Sequence, residues 1–186
     1  DSFTAKAQAR MIKYRMIKDA IAQSKKRLFE MAAFFGPGKY DIPDDKVEMA
    51  NSLFTPVIDS LIYFSNNYSS LDQTGTIVVN GYADGMDIND SSELHAVLLT
   101  ALNKTAASKE QLNMQLSQLR ADAISALMEK LVYAKQGQFA SWEKFLVNTF
   151  EYGQGETYPT KTITDYSTDD ERRRVVLIYW SVLPND

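Results

Sequence analysis

The chain has 186 residues, of which 45% are hydrophobic and 24% charged, as is typical of one globular domain with a substantial core. Its net charge of -4 gives no support for nucleic-acid binding. Because it has no cysteine and only one histidine, disulfides, thiolate nucleophiles, sulfur-based zinc sites and histidine-rich metal sites are excluded.

The first segment, from about residue 4 to residue 34, is predicted to be a helix because small and apolar residues recur along it. It is also basic, since residues 1–30 hold eight lysines and arginines against three acidic residues. Two interpretations stay open: a solvated helix face that docks on the core, or a basic segment close to an anionic membrane surface. No apolar run is long enough to span a bilayer. The absence of a starting methionine favours a processed or trimmed piece of a longer protein.

Glycines and prolines interrupt the chain after this helix. Four residues disfavour continued helix: Gly36, Pro37, Gly38 and Pro43. We therefore expect a hinge over residues 34–45, with a short strand inside it. This hinge divides the chain into an N-terminal helical linker segment, residues 1–40, and a main domain, residues 41–186.

The next segment, residues 46–70, is predicted to be helical because apolar residues recur at steps of four and three from Met49 to Phe64. Pro56 lies inside this run. We interpret it as the first turn of a helix from about Phe54 to Tyr68, where a missing amide hydrogen costs nothing.

The periodicity of the apolar residues changes after this predicted helix. Residues 76–79 are mostly β-branched and are flanked by Gly75 and Gly81, which predicts a buried strand. Asp84 then lies on the loop at the carboxyl end of this strand. Ligands bind at such edges in α/β sheets, so Asp84 is a candidate binding residue.

Two helices are predicted next, over residues 91–105 with Ser91 or Ser92 as the cap, and from a capping box at Ser108–Gln111 to about Tyr133. In the second of these helices a polar set lies beside a stripe of leucines.

That polar set consists of Asn113, Ser117 and Arg120, which share one side of the helix because they are spaced four and three apart. From the residues alone, this side is either a solvated face or a set of ligand-binding groups.

The C-terminal part is predicted to hold two strands, Phe145 to Tyr152 and Glu171 to Leu183, joined by a polar surface loop. The second strand carries consecutive apolar residues from Val175 to Tyr179, as expected for a strand that is covered on both faces.

Four motifs along residues 45–183 resemble the peptidoglycan-binding domain family found at the C-terminus of the outer-membrane protein OmpA and of the motor stator protein MotB. The family's motifs are Gly-His-Thr-Asp after a strand, Asn-x-x-Leu-Ser-x-x-Arg-Ala on a helix, Gly-x-Gly-Glu after a strand, and Asn-Arg-Arg-Val on the final strand. The matching residues are Gly81 and Asp84; Asn113, Leu116, Ser117, Arg120 and Ala121; Gly153, Gly155 and Glu156; and Arg173, Arg174 and Val175.

The sequence departs from this pattern at three places. Tyr82 and Ala83 replace the usual His-Thr pair, and Arg172 replaces the asparagine of the final motif. The stretch between Asp84 and Asn113 is longer than usual and carries the extra helix, which we expect either to cover the ligand edge or to form a partner surface.

The resemblance implies an α+β fold: an OmpA-like β-α-β-α-β sandwich with a small mixed sheet and helices on one side, here with a long N-terminal helix and an inserted helix. It implies a cofactor-free binding domain rather than an enzyme. The ligand would be the peptidoglycan stem peptide, held through a diamino acid, usually diaminopimelate, whose side chain ends in an ammonium and a carboxylate.

The resemblance also implies the roles of the site residues. Asp84 would accept from the ammonium, Arg120 would give a two-pronged hydrogen bond to the carboxylate, and Asn113 would hold a peptide group. Tyr82 occupies a motif position in the same loop, Leu116 would position the helix, and Arg174 would brace the site. Without the motifs, Asp84 would be interpreted as a turn cap and both arginines as members of structural ion pairs.

The resemblance further implies a periplasmic domain that forms a homodimer and anchors membrane-embedded partner subunits to the cell wall. The long basic N-terminal helix favours an inner-membrane, stator-like setting over an outer-membrane one. A protein-interaction scaffold that has kept the fold and lost the ligand site is the alternative function.

Overall fold

A computed structural model describes residues 2–24, 27–30 and 34–186 of the chain. The helices are α1 (Ser2–Gln23), α2 (Val47–Asn66), α3 (Glu93–Leu102) and α4 (Lys109–Ala134). The strands are β1 (Arg27–Glu30), β2 (Gln73–Gly81), β3 (Phe145–Gly153) and β4 (Val175–Pro184). Within the described residues, no helix combines the length and the apolar character needed to cross a membrane.

The strands form one mixed sheet in the order β1-β4-β2-β3. The β2 and β3 strands are parallel and are connected through α3 and α4, whereas β4 runs antiparallel to both of its neighbours. The α2 and α4 helices pack on one face of the sheet, against alternate residues of β2 such as Ile77 and Val79. The predicted α+β fold with a small mixed sheet is therefore confirmed.

The face of the sheet away from the helices is partly apolar and open. Val78 lies between Phe150 of β3 and Tyr179 of β4 on this face. Phe150 is 44% exposed and Tyr152, two residues further along β3, is 49% exposed. The described residues thus leave aromatic surface uncovered beside an edge strand.

Two glycines allow α4 to lie directly on the ends of β2 and β3. A Cβ atom on Gly81 would come within 2.3 Å of the Ser117 carbonyl oxygen, and one on Gly153 within 2.6 Å of the Gln118 amide nitrogen. No side chain fits in either place, so both positions need glycine. This contact brings the first turns of α4 beside the loop that follows β2.

The predicted long first helix is correct only for α1. A helix over residues 24–34 was expected, but residues 27–30 form β1, which pairs antiparallel with β4. The buried strand β4 has a free edge next to this segment, and backbone pairing with that edge outweighs local helix propensity. Residues 31–33 of the expected helix lie outside the described residues.

The hinge over residues 34–45 contains a turn and no strand, so the short strand expected there was wrong. Gly38 has a positive φ of 68°, which explains why the chain turns here. The division into a linker over residues 1–40 and a domain over 41–186 stays a prediction.

The interpretation of Pro56 as a first-turn residue was wrong, because it lies in the interior of α2. Ala50 and Phe54, which precede it, are completely buried, as is Ile58 after it. The apolar stripe therefore continues across the proline, and burial of this stripe outweighs the lost backbone hydrogen bond.

The caps predicted for the two following helices are confirmed. The Ser92 side chain accepts from the His95 amide at the start of α3. Ser108 and Gln111 form the reciprocal capping box at the start of α4.

The close contact of α4 with the sheet predicts a large loss of stability in Gly81→Ala, because the added methyl group overlaps the Ser117 carbonyl oxygen. We expect the free energy of unfolding to fall by about 3 kcal/mol. Gly137→Ala is the matched control, since nothing lies within 4 Å of a Cβ there. Urea denaturation followed by circular dichroism measures both, and equal midpoints would show that α4 is not constrained in this way.

Candidate functional site

Backbone hydrogen bonds fix the loop that carries Asp84. The Ala83 amide donates to the Gly155 carbonyl oxygen at 2.9 Å, and the Gly85 amide donates to the Thr168 carbonyl oxygen at 2.7 Å. Asp84 therefore lies between two anchored residues at the end of β2, which is the edge of the sheet predicted from the sequence.

The Asp84 carboxylate forms a buried ion pair with Arg174, which directly precedes β4. The Asp84 Oδ2 atom lies 2.9 Å from Arg174 Nη1, and the two residues are only 2% and 7% exposed. From the residues that the structure describes, the other carboxylate oxygen, Oδ1, accepts one long hydrogen bond of 3.4 Å, from the Met86 amide. Arg174 thus holds one oxygen of Asp84 and leaves the second with little hydrogen bonding.

Arg120 is also buried, at 1% exposure, and lies over the Phe35 ring. All three of its nitrogens donate to backbone carbonyl oxygens. Nε donates to Lys39 at 2.8 Å, Nη1 to Tyr82 at 3.2 Å and Nη2 to Gly36 at 3.4 Å. The guanidinium therefore joins the hinge segment to the Asp84 loop.

Charges do not balance among these three side chains. Asp84 supplies one negative charge, while Arg120 and Arg174 supply two positive charges. Burial lowers the pKa of Arg120 to about 10; the nearby Asp84 carboxylate opposes this shift and Arg174 adds to it. Arg120 remains protonated at neutral pH, so the cluster of Asp84, Arg120 and Arg174 carries an excess positive charge.

Asn113 connects the first turns of α4 to two loops. Its Nδ2 donates to the Met86 carbonyl oxygen at 3.1 Å and to Glu156 Oε1 at 2.6 Å. Lys109 reaches the same Glu156 oxygen at 3.9 Å. Both amide hydrogens of Asn113 are used in this way, so its side-chain oxygen is the group left for a ligand.

Glu156 was quoted in the Gly-x-Gly-Glu motif but was not predicted as a site residue. The structure places it beside Asn113, with part of its side chain exposed. The motif was the signal that could have identified it.

Asp84, Asn113 and Leu116 line one open cleft of about 580 Å³. The opposite wall consists of the hinge residues around Lys39 and Tyr40 and the start of the inserted helix α3. Three further carboxylates also line this cleft: Asp41, Asp87 and Glu93. The insertion therefore lines the cleft at this edge of the sheet.

Three predicted site residues do not line this cleft: Tyr82, Arg120 and Arg174. Leu116 is buried with Leu98 and Leu112, which fixes α3 on α4. The Tyr82 side chain packs with Val175 and Leu177 on the open face of the sheet, so it is the Tyr82 backbone carbonyl that takes part in the site.

The polar side of α4 is not a solvated face, so that interpretation was wrong. Asn113, Ser117 and Arg120 are all buried. The Ser117 hydroxyl accepts from the Gly155 amide at 2.8 Å, which fixes the glycine turn after β3. The three polar groups therefore satisfy backbone groups of the loops around the cleft.

Comparisons with solved structures give fold-level matches. The OmpA-like domain of FopA1 from Francisella tularensis is 16% identical, with 87% of this chain and 73% of that chain covered and a TM-score of 0.38. The periplasmic domain of Helicobacter pylori MotB is 12% identical, with 86% and 83% covered and a TM-score of 0.46. The peptidoglycan-associated lipoprotein from Burkholderia pseudomallei is 13% identical, with 80% and 87% covered and a TM-score of 0.41.

These names include an OmpA-like domain and a MotB periplasmic domain, which are the kinds of protein that the sequence motifs resemble. At such identities and TM-scores the likeness says nothing about a ligand. No protein-family model matches the chain, and no curated protein matches its sequence.

The buried ion pair predicts that Asp84→Asn destabilises the fold, because two buried arginines lose their carboxylate. We expect the free energy of unfolding to fall by about 3 kcal/mol. The matched control is Asp122→Asn, an exposed aspartate of α4, for which we expect a change below about 0.5 kcal/mol. Equal unfolding midpoints for the two variants would show that Asp84 does not stabilise the arginines.

Proposed function

We propose that this chain binds peptidoglycan stem peptides non-covalently and anchors a membrane protein or stator-like complex to the cell wall. The observation that carries this proposal is the buried cluster of Asp84, Arg120 and Arg174, which has one carboxylate for two guanidinium groups. Asp84 is the member of this cluster that lines the open cleft. A ligand that brings its own carboxylate would balance this charge.

The cleft suits the other charge of the ligand as well. Asp84 lines the cleft, and among the described residues its Oδ1 atom has one long hydrogen bond, with the Met86 amide. An ammonium group can therefore donate to Oδ1 while Arg174 keeps Oδ2 in place. The carboxylates of Asp41, Asp87 and Glu93 add negative charge along the cleft, which favours entry of the ammonium end.

Five of the six predicted residues then have a role for their side chains in this proposal. Asp84 accepts from the ammonium, Arg120 binds the carboxylate, and the Asn113 side-chain oxygen accepts from a peptide N–H. Arg174 and Leu116 are positioning residues, because they act through Asp84 and through the packing of α3 on α4.

We expect a modest affinity for a single stem peptide, which is sufficient for anchoring to a polymer with many copies of it. Hydrogen bonds to charged groups contribute about 1.5–3 kcal/mol each, and much of this is offset by the cost of association. Many copies of the stem peptide in the wall polymer raise the effective affinity of a dimeric or clustered anchor. We therefore propose a homodimeric binding module rather than an enzyme, located in the periplasm and attached to the inner membrane, with the outer membrane as the alternative.

A scaffold function is the second candidate, and two observations favour it. Arg120 donates to backbone carbonyls instead of facing the cleft, and the open face of the sheet exposes Phe150 and Tyr152 beside an edge strand. Exposed aromatic side chains on an edge strand are features of protein-interaction surfaces. Such a scaffold would bind a partner protein and would not bind the cell wall.

Co-sedimentation with purified cell-wall sacculi tests the proposal. We expect the wild-type chain to sediment with sacculi and Asp84→Asn to bind about tenfold or more weakly, because one charge-assisted bond is lost. Asp122→Asn is the control and should sediment like wild type. Circular dichroism at the assay temperature verifies that all three proteins are folded.

Competition with soluble stem peptides tests the same proposal without a variant protein. A soluble stem peptide that contains diaminopimelate should release the wild-type chain from sacculi, whereas a peptide with alanine in place of diaminopimelate should not. Failure of wild type to sediment, or release by both peptides alike, would contradict binding through the diamino acid and would favour the scaffold function.

A further inference from the structure

The hinge residues Gly36 to Lys39 cover the guanidinium of Arg120. The carbonyl oxygens of Gly36 and Lys39 accept from Arg120 Nη2 and Nε at 3.4 Å and 2.8 Å. Phe35, which is completely buried, lies against the same guanidinium with 5.6 Å between the Arg120 Cζ atom and the ring centroid. This segment therefore covers the Nε and Nη2 atoms of the guanidinium.

Carbonyl oxygens are weaker partners for a guanidinium than a carboxylate is. They carry partial charges only, whereas a carboxylate accepts two parallel N–H bonds and brings a full negative charge. The Gly36 contact is also long at 3.4 Å. Replacing these carbonyls by a carboxylate would strengthen the hydrogen bonds of Arg120 and remove the excess positive charge of the cluster.

The same segment forms one wall of the cleft. Pro37, Gly38 and Lys39 line it opposite Asp84 and Asn113. A ligand that lies along Asp84 would therefore meet this wall directly, and movement of the wall would open a path to Arg120.

The segment has few anchors of its own. Within the described part of the chain, a single backbone bond of 3.0 Å, from the Lys39 amide to the Gly36 carbonyl oxygen, closes its turn. Pro37 and Lys39 are exposed, and Gly38 adopts a positive φ of 68° that is favourable only for glycine. Segments with few buried contacts and exposed hydrogen bonds open at low free-energy cost.

We propose that residues 36–39 are a displaceable cap, which holds Arg120 in the ligand-free protein and is displaced by the carboxylate of the ligand. This inference rests on the proposed function and adds a regulated step to it. Because the cap and the ligand compete for Arg120, the apparent affinity is reduced by the fraction of molecules in which the cap is closed. Changes that loosen the cap should tighten binding.

Gly38→Ala tests this relation. Alanine is strained at the positive φ of Gly38, and its Cβ would lie 3.0 Å from the Leu94 Cδ2 atom. Both effects disfavour the closed cap. We expect the affinity for a soluble stem peptide containing diaminopimelate to rise about fivefold, as measured by calorimetric titration. Gly137→Ala, a glycine-to-alanine change away from the cleft, should bind like wild type.

Nuclear magnetic resonance of the Arg120 Nε–H group observes the cap directly. We expect this resonance to shift when the stem peptide is added, and we expect the amides of residues 36–40 to exchange faster with solvent. In Gly38→Ala the Nε–H group should lose protection even without ligand.

The outcomes separate the two proposals. Binding of equal strength by wild type and Gly38→Ala, with an unchanged Arg120 resonance, would overturn the cap and leave the proposed function standing. Absence of stem-peptide binding by both proteins would overturn both.

Discussion

The buried group of Asp84, Arg120 and Arg174 is the feature on which the rest of the site depends. Its three members come from the loop after β2, from α4 and from the start of β4, so this one cluster joins three elements. Two guanidinium groups and one carboxylate leave a positive charge in a region that water reaches poorly. A buried charge without a full counterion costs stability, which makes such an arrangement informative about function.

Close backbone contacts between α4 and the sheet bring these groups together. Gly81 and Gly153 let α4 approach β2 and β3 closely, and Ser117 then holds the glycine turn after β3. Asn113 reaches across to Glu156 and to the carbonyl oxygen of Met86. Most polar side chains of α4 near the site are thus used to fix loops, and the ligand is left with a small number of oriented atoms.

Several features of the fold could be predicted because local signals and tertiary packing agree. The capping box at Ser108, the β-branched run of β2 and the apolar run of β4 all specify their elements directly. Pro56 and β1 could not be predicted, because burial on the core and pairing with β4 override what the local sequence favours. Such overrides depend on partners that are distant in the chain.

In the candidate site, too, some features could be predicted from the sequence and others depend on residues that are distant in the chain. The motifs singled out Asp84 and Asn113, which line the same cleft, because spacing along an element fixes which residues share an edge or a face. They gave no sign that Arg120 donates to Lys39, which is 81 residues away along the chain. A contact between a side chain and a distant backbone carbonyl leaves no pattern in a single sequence.

We assign the ligand carboxylate to the excess positive charge around Arg120, so this charge should decide affinity. The most direct measurement is a calorimetric titration of the wild-type chain with two stem peptides that differ only in amidation of the side-chain carboxylate of diaminopimelate. We expect the peptide with the free carboxylate to bind about tenfold or more tightly than the amidated peptide. Equal affinities, or tighter binding of the amide, would contradict it.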